Sequence, residues 1–150
     1  MRAFWLDGPG PDHLGSVSIS LDELTSNDVT YRAMPVDDHV EPLEAFMRER
    51  GYVTRDEIQL SLATPGLDAI EAKFDREHMH TDDEVRYVLE GEGIFDIRSK
   101  DDRWMRVVVG VGDLISVPKD RHHRFLLTEE KRIRCVRLFV DQTGWTPHYR

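Results

Sequence analysis

The sequence contains a single cysteine, Cys135, among its 150 residues. One thiol cannot form an intramolecular disulfide, so a disulfide-stabilised scaffold is excluded. Cys135 lies in the apolar run IRCVRLFV, which predicts a buried strand residue with a structural role rather than a reactive nucleophile.

The sequence also has few basic residues and no long apolar run. Its 20 lysines and arginines are outnumbered by 29 aspartates and glutamates, which gives a formal net charge of −9. This balance argues against nucleic acid or an anionic membrane surface as a partner, because both bind clustered basic residues. No apolar stretch approaches the length of a membrane-spanning helix, and the opening MRAFWLDGPGPDH lacks the apolar core of a signal peptide. We therefore expect a cytoplasmic protein that acts on a small molecule.

Internal repeats, low-complexity tracts and Pro/Gly/Ser-rich linkers are absent from the sequence. The length leaves room for one hydrophobic core, and the hydrophobic content of 39% is ordinary for a globular protein. We therefore predict a single domain that spans residues 1–150.

Helical and extended patterns divide the chain into two parts. Up to about Phe74, helical signals mark LDEL after Ser20, EPLEAFMRERGY with Gly51 near its end, and TRDEIQL with Thr54 as its N-cap. From His78 onward, segments rich in β-branched and aromatic residues predict strand after strand: EVRYVLEG, GIFDIRS, WMRVVVG, DLISVP, HRFLL and IRCVRLFV. The sequence therefore predicts a mainly β fold, a small double-sheet barrel with a few N-terminal helices packed outside it.

The pattern His78-x-His80-x-x-x-Glu84, followed much later by His123, is the strongest chemical signal. Side chains two residues apart in a strand point the same way, so His78 and His80 share a face. A single histidine on a strand is usually only a surface or hydrogen-bonded residue. Burying imidazole and carboxylate groups together is costly unless they surround a cation, and the four residues are therefore candidate ligands of one divalent metal.

The same two-residue step places Arg86 beside Glu84 on the inward face of the predicted strand EVRYVLEG. Val85, Tyr87 and Leu89 would then take the opposite face. The inward face is thus predicted to be polar, which an ordinary apolar core would not tolerate.

The spacing of these residues resembles both halves of the cupin signature. The first half is His-x-His-x-x-x-Glu followed by Gly91, and the second is Gly112, Pro118 and then His123. In the second half of the signature, the spacing between the proline and the histidine ligand selects His123 rather than His122 as that ligand. The resemblance implies a double-sheet barrel of the jelly-roll type. The sequence departs from the signature at three positions: Asp120 replaces a turn glycine, Leu127 an asparagine and Ala72 a glycine. Aspartate tolerates a positive φ better than most residues, so Asp120 is compatible with the turn.

Three longer segments, EHMHTDDEVRYVLEGEGIFDIR, RWMRVVVGVGDLISVPKDRHHRF and VRLFVDQTGWTPHYR, resemble the acireductone dioxygenases. That resemblance implies that His78, His80, Glu84 and His123 hold one Fe(II) or Ni(II) per chain. It also implies that the substrates are O2 and the acireductone 1,2-dihydroxy-3-keto-5-methylthiopentene, an intermediate of methionine salvage. The Fe(II) form would give formate and 2-keto-4-methylthiobutyrate, and the Ni(II) form carbon monoxide, formate and 3-methylthiopropionate. The clearest departure of this sequence from the family's pattern is Pro118-Lys119-Asp120, where the family usually has Pro-Ala-Gly.

Arg86 is the predicted catalytic residue, because its permanent charge would lie beside an anionic enediolate. The alternative is a salt bridge between strands, with Asp113 or Glu92 as the partner. The resemblance favours the catalytic role.

The resemblance also assigns Phe74, Phe125 and Trp145 to a substrate pocket for the methylthio tail. Phe125 shares the inward face of His123 by the two-residue rule. From the residues alone, aromatic side chains near strands are more often plain core.

Two other functions stay open at this point. One keeps the cupin metal site but acts on another substrate, as a different dioxygenase or an isomerase. The other is a cupin module that binds a ligand without catalysis. The sequence does not choose between Fe(II) and Ni(II), because the same ligands serve both metals. We expect a monomer, which the resemblance to this family allows.

Overall fold

The computed structural model describes residues 1–6, 17–140 and 147–150. Within these residues the chain forms helices that alternate with strands up to about residue 78 and strands alone thereafter. The helices are α1 (Leu21–Ser26), α2 (Val40–Arg50) and α3 (Leu67–Phe74). The strands are β1 (Arg2–Trp5), β2 (Thr30–Ala33), β3 (Thr54–Leu60), β4 (His78–Met79), β5 (Glu84–Arg98), β6 (Trp104–Gly110), β7 (Asp113–Val117), β8 (His123–Leu127), β9 (Ile133–Phe139) and β10 (His148–Tyr149).

A predicted capping signal marks the start of α1 and the end of α2. The Ser20 hydroxyl accepts a hydrogen bond of 3.1 Å from the backbone N–H of Glu23 and caps α1. Gly51 ends α2 in a left-handed conformation with φ of 78°. Helix α3 is an addition to the predicted helices. Among the described residues, α2 is the longest helix at 11 residues, and none has the length and apolarity to cross a membrane.

The predicted helix at TRDEIQL is wrong, because these residues form strand β3. Thr54 pairs with Phe139 and Leu60 with Ile133, so β3 lies antiparallel to β9 along its whole length. Asp56 binds the Arg137 guanidinium across the two strands at 2.7 Å. Partners from a distant part of the chain therefore override the local helical signal, which came from the charged residues and the apparent cap.

The two predicted strands EVRYVLEG and GIFDIRS form one continuous strand, β5. Its first half pairs with β7 and β9, and its second half pairs with β6 and β8. The change of partner coincides with a register shift between Val88 and Glu90 and with Gly91, whose φ is 75°. Gly91 is therefore a bend inside a strand rather than a turn between two strands.

Strand β5 belongs to both sheets of the fold. One sheet has the order β1-β6-β5-β8-β4-β10, and the other has the order β2-β7-β5-β9-β3. This arrangement confirms the predicted mainly β, double-sheet architecture.

The core lies on both sides of the second sheet. Between the sheets, Val88, Phe95 and Cys135 belong to one buried apolar cluster. On the other side, Tyr87 and Leu89 pack with residues of α2, which confirms the predicted outer face of β5 and an external helix. The inner face of β5 also carries Glu84 and Arg86, which are buried but polar, as the sequence predicts. Cys135 is also buried as predicted, and burial raises the pKa of its thiol to about 11.

Candidate metal centre

Strands β4, β5 and β8 bring the four predicted metal ligands together. His78 on β4 pairs directly with His123 on β8. His80 follows β4 by one residue, and Glu84 is the first residue of β5. All four side chains are buried, with 1% to 6% of each residue exposed to solvent.

The donor atoms of these residues converge on one point. One ring nitrogen from each of His78, His80 and His123 lies within 4.8 Å of the others. Nε2 of His123 is also 2.7 Å from Oε2 of Glu84. Three imidazoles and a carboxylate at this separation can bind one divalent cation.

Backbone carbonyls fix the orientation of two of the histidines. Nδ1 of His78 lies 2.6 Å from the carbonyl oxygen of Arg76, and Nδ1 of His123 lies 2.9 Å from that of Arg121. A carbonyl oxygen only accepts hydrogen bonds, so each Nδ1 must carry a proton and donate it. In the neutral ring, Nε2 then presents a lone pair to the centre, the arrangement typical of metal-binding histidines.

The contact between His123 and Glu84 fits a bound cation. Nε2 of His123 and Oε2 of Glu84 are buried, and within the described residues neither atom has a hydrogen-bond partner of acceptable geometry. With Nδ1 protonated, the two atoms that face each other are both electron-pair donors. A divalent cation coordinated by both would satisfy them, as the chemistry of a His3Glu donor set allows.

The protonation states of His78, His80 and Glu84 also favour a metal near neutral pH. Burial lowers the pKa of His78, and it lowers the pKa of His80 to about 4. Burial alone would raise the pKa of Glu84, but the nearby Arg86 and His123 outweigh it and hold that pKa well below its ordinary value. Burial opposes protonation of His123, yet the Glu84 carboxylate raises its pKa. A cation would take the place of that proton.

Arg86 contacts Glu84 rather than either of the partners considered for a salt bridge. Its Nη2 donates to Oε1 of Glu84 at 2.9 Å, and its Nη1 donates to the Val85 carbonyl at 3.1 Å. Asp113 instead accepts hydrogen bonds from the hydroxyl of Tyr31 and from the backbone N–H of Gly110. One carboxylate oxygen of Glu84 therefore faces Arg86 and the other faces His123.

A cavity of about 460 Å³ opens onto the candidate metal centre. His78, His80 and Arg86 line it, which places the predicted catalytic guanidinium next to the predicted ligands. The remaining lining residues are Lys73, Phe74, Arg137, Pro147 and Tyr149. Tyr149 carries no local signal in the sequence, and it reaches the cavity because β10 pairs with β4.

Two of the three predicted pocket aromatics lie at this site. Phe74 lines both the large cavity and a smaller apolar recess of about 10 Å³, and Phe125 lines the recess. Their rings meet edge to face with centroids 6.1 Å apart. The recess is completed by Ile58, Glu84, Arg86, Phe95, Ile133 and Cys135. Trp145 lies outside the described residues.

Comparison with known proteins identifies the family. A family model described as ARD/ARD' matches residues 9–147 of the chain. The chain belongs to this family. An acireductone dioxygenase of Heterostelium pallidum is 46% identical over 147 residues, with 98% of this chain and 96% of the relative covered. One of Dictyostelium discoideum is 46% identical over 131 residues, which cover 86% of this chain and 89% of the relative.

A solved structure agrees with the family assignment. The acireductone dioxygenase of Bacillus anthracis, described with a cadmium ion in its active centre, is 30% identical to this chain. The two superpose with a TM-score of 0.85 over 99% of this chain and 97% of the Bacillus protein. This match confirms the predicted cupin fold, and the chain is a metal-dependent enzyme of the acireductone dioxygenase family.

The departure at Asp120 fits the turn before His123. Asp120 has a φ of 60°, the conformation that a glycine would supply and that aspartate tolerates.

The nearby Asp83, which a surface turn would leave in solvent, accepts hydrogen bonds from the Tyr52 hydroxyl at 2.9 Å and the Lys119 backbone N–H at 2.8 Å. Its role in joining two loops of the site has no signal in the sequence.

Proposed function

We propose that this protein is an acireductone dioxygenase whose metal is held by His78, His80, Glu84 and His123. The observation that carries the proposal is the convergence of three imidazoles and one carboxylate in a chain of this family. The proposed substrate is 1,2-dihydroxy-3-keto-5-methylthiopentene, which belongs to methionine salvage. A cytoplasmic location and a monomeric state remain predictions.

The proposed metal is Fe(II) or Ni(II), one ion per chain. Both metals accept mixed imidazole and carboxylate ligands. When bound, either would supply Lewis acidity and two open positions that suit a substrate with two adjacent oxygens. The ligand set is the same for both metals, so the metal supplied decides which set of products is expected.

Arg86 is proposed to stabilise the negative charge of the deprotonated substrate. The guanidinium lines the cavity and is anchored by Glu84, so its position is fixed before the substrate binds. Its side chain is only 6% exposed, and a charge interaction in such a place is screened far less than one at the surface.

Phe74 and Phe125 are proposed to bind the apolar methylthio tail. Phe74 lines the large cavity and its ring packs on that of Phe125, so a tail placed against Phe74 in that cavity would leave the polar end of the substrate at the metal ligands. Burying apolar atoms against these rings also keeps water away from the reacting groups. The same role for Trp145 stays a prediction.

The proposal is tested by anaerobic reconstitution of the metal-free protein with Fe(II) or with Ni(II). Acireductone and O2 are then added, and oxygen uptake and products are recorded. We expect formate and 2-keto-4-methylthiobutyrate with Fe(II), and carbon monoxide, formate and 3-methylthiopropionate with Ni(II). Absence of turnover above the buffer rate with either metal, in protein that has bound a full equivalent, would refute the proposed substrate.

Neighbouring histidines offer a matched pair of variants for the ligand assignment. His123→Ala removes a proposed ligand, whereas His122→Ala removes the adjacent, half-buried imidazole that has no proposed role. We expect His123→Ala to lose metal binding and turnover and His122→Ala to keep both. Equal metal content in the two variants would contradict the assignment of His123.

A further inference from the structure

The loop between β7 and β8 connects directly to His123. On the side of the metal centre, the backbone N–H of Asp120 donates to the carbonyl of His80 at 2.8 Å. The N–H of Lys119 donates to Asp83 at 2.8 Å. The loop is therefore bonded to the segment that carries the proposed ligand His80.

On its other side the loop is anchored by the side chain of Arg121. Its Nη1 donates to the backbone carbonyls of Asn27 at 2.9 Å and Arg98 at 3.2 Å. Its Nη2 donates to Asp28 at 3.2 Å. Asn27 caps the C-terminal end of α1, where carbonyl groups lack helical partners and a cation is favoured. The Arg121 side chain is only 17% exposed, whereas Asp28 is 56% exposed, so the two carbonyl contacts are the better-shielded part of the anchor.

The backbone of the same residue orients His123. The carbonyl of Arg121 accepts the Nδ1 proton of His123 at 2.9 Å, which directs Nε2 toward Glu84. The next carbonyl, of His122, accepts a hydrogen bond of 2.9 Å from the backbone N–H of Arg98. The side chain of Arg121 and the backbone carbonyl of His122 are thus both hydrogen-bonded to the backbone of Arg98.

We propose that Arg121 is a positioning residue for the metal centre, because its guanidinium fixes the loop whose carbonyl orients His123. The inference rests on the proposed function, in which His123 is a ligand. Without the anchor, the carbonyl of Arg121 would be held only through the backbone bonds of Asp120 and His122, and the direction of Nε2 of His123 would be less strictly fixed. Removing groups that orient a ligand in this way typically weakens metal binding by about 10- to 100-fold.

The test measures Ni(II) affinity of the metal-free protein by competition with a chelator, without substrate. Arg121→Met removes the anchor and keeps an apolar side chain of similar length. Arg121→Lys keeps the charge and one donor group. Arg134→Met is the matched control, because Arg134 makes comparable ion pairs with Glu57 and Glu90 on the outside of the β3–β9 pair, at 3.1 and 3.2 Å. Circular dichroism at the temperature of the titration establishes that each variant is folded.

We expect Arg121→Met to weaken Ni(II) binding by roughly 10- to 100-fold, Arg121→Lys to recover part of the loss, and Arg134→Met to bind like the wild type. The visible absorption of bound Co(II) should also change in Arg121→Met, because it reports the geometry of the ligands. An affinity loss below fivefold in folded Arg121→Met, or an equal loss in Arg134→Met, would overturn the proposal.

Two further outcomes are distinguished by the same design. Should Arg121→Met not fold, Arg121→Gln takes its place under the same fivefold criterion, since glutamine is uncharged, is shorter than arginine and keeps only two of its five N–H donors. Failure of the wild type to bind Ni(II) would refute the proposed function and this inference with it. Tight binding by the wild type together with unchanged binding by the variant would refute only the role of Arg121.

Discussion

Arg86→Met is the substitution that most directly tests the proposed catalytic role. Methionine fills much of the volume of the arginine side chain but removes its charge and its donors. In the structure, the guanidinium is 2.9 Å from Glu84 and lines the cavity beside His78 and His80. The substitution therefore changes the charge at the substrate position without removing any proposed metal ligand.

The expected magnitude follows from the burial of this charge. Two unit charges about 5 Å apart at an effective dielectric constant of about 20 interact by about 3 kcal/mol. Because kcat/KM compares the transition state with free enzyme and substrate, loss of this interaction corresponds to roughly a 100- to 300-fold lower kcat/KM. Removing one preorganised donor from an anion-stabilising site has a similar effect in other enzymes, about 10²- to 10³-fold.

The assay compares the wild type, Arg86→Met and Arg86→Lys after each has been loaded with the same metal. Metal content is measured first, and the binding of a chelating inhibitor is measured separately from oxygen uptake. We expect Arg86→Met to bind metal and inhibitor yet to turn over slowly, and Arg86→Lys to lie between it and the wild type. Turnover within about threefold of the wild type, in metal-loaded Arg86→Met, would refute the reasoning.

Three further substitutions test the site and the fold. Glu84→Gln removes the only carboxylate among the proposed ligands, so Ni(II) affinity should fall by at least about 100-fold. Competition with a chelator measures this affinity, and an unchanged value would remove Glu84 from the ligand set. Gly91→Ala would place a Cβ 2.1 Å from the Arg132 carbonyl oxygen, in a backbone with φ of 75° that an alanine rarely adopts. The free energy of unfolding should therefore fall by about 3 kcal/mol or more, which urea denaturation would measure. Asp96→Asn removes a fully buried charge that two arginines contact at 2.7 and 2.8 Å. The free energy of unfolding should fall by about 3 kcal/mol in the same experiment, while Ni(II) affinity stays unchanged. A stability within about 0.5 kcal/mol of the wild type would contradict this account.

The metal centre could be predicted from the sequence because its spacing follows from strand geometry. The two-residue step on β5 places Glu84 and Arg86 on one face, and the structure joins them by a hydrogen bond of 2.9 Å. The distant His123 required the second half of the cupin pattern, since nothing local connects it to His78. The structure pairs these two residues directly.

Local patterns failed where the partners were distant in sequence. The segment Thr54–Leu60 has charged residues and a plausible cap, both typical of a helix, yet β9 supplies a complete edge with which it pairs. Gly91 suggested the end of a strand, whereas in the structure it allows β5 to pass from one sheet to the other. In each case the deciding interaction involves residues that no short window contains.

The pairing of Arg86 with Glu84 carries a consequence for substrate charge. Because burial keeps His78 and His80 neutral, Glu84 and Arg86 are the opposite charges that balance each other when His123 is also neutral. Adding a divalent cation would then leave these groups with two uncompensated positive charges. A neutral ligand would not compensate them, whereas a doubly deprotonated enediol would. The arrangement of charges therefore favours an anionic chelating substrate, which is the class that an acireductone represents.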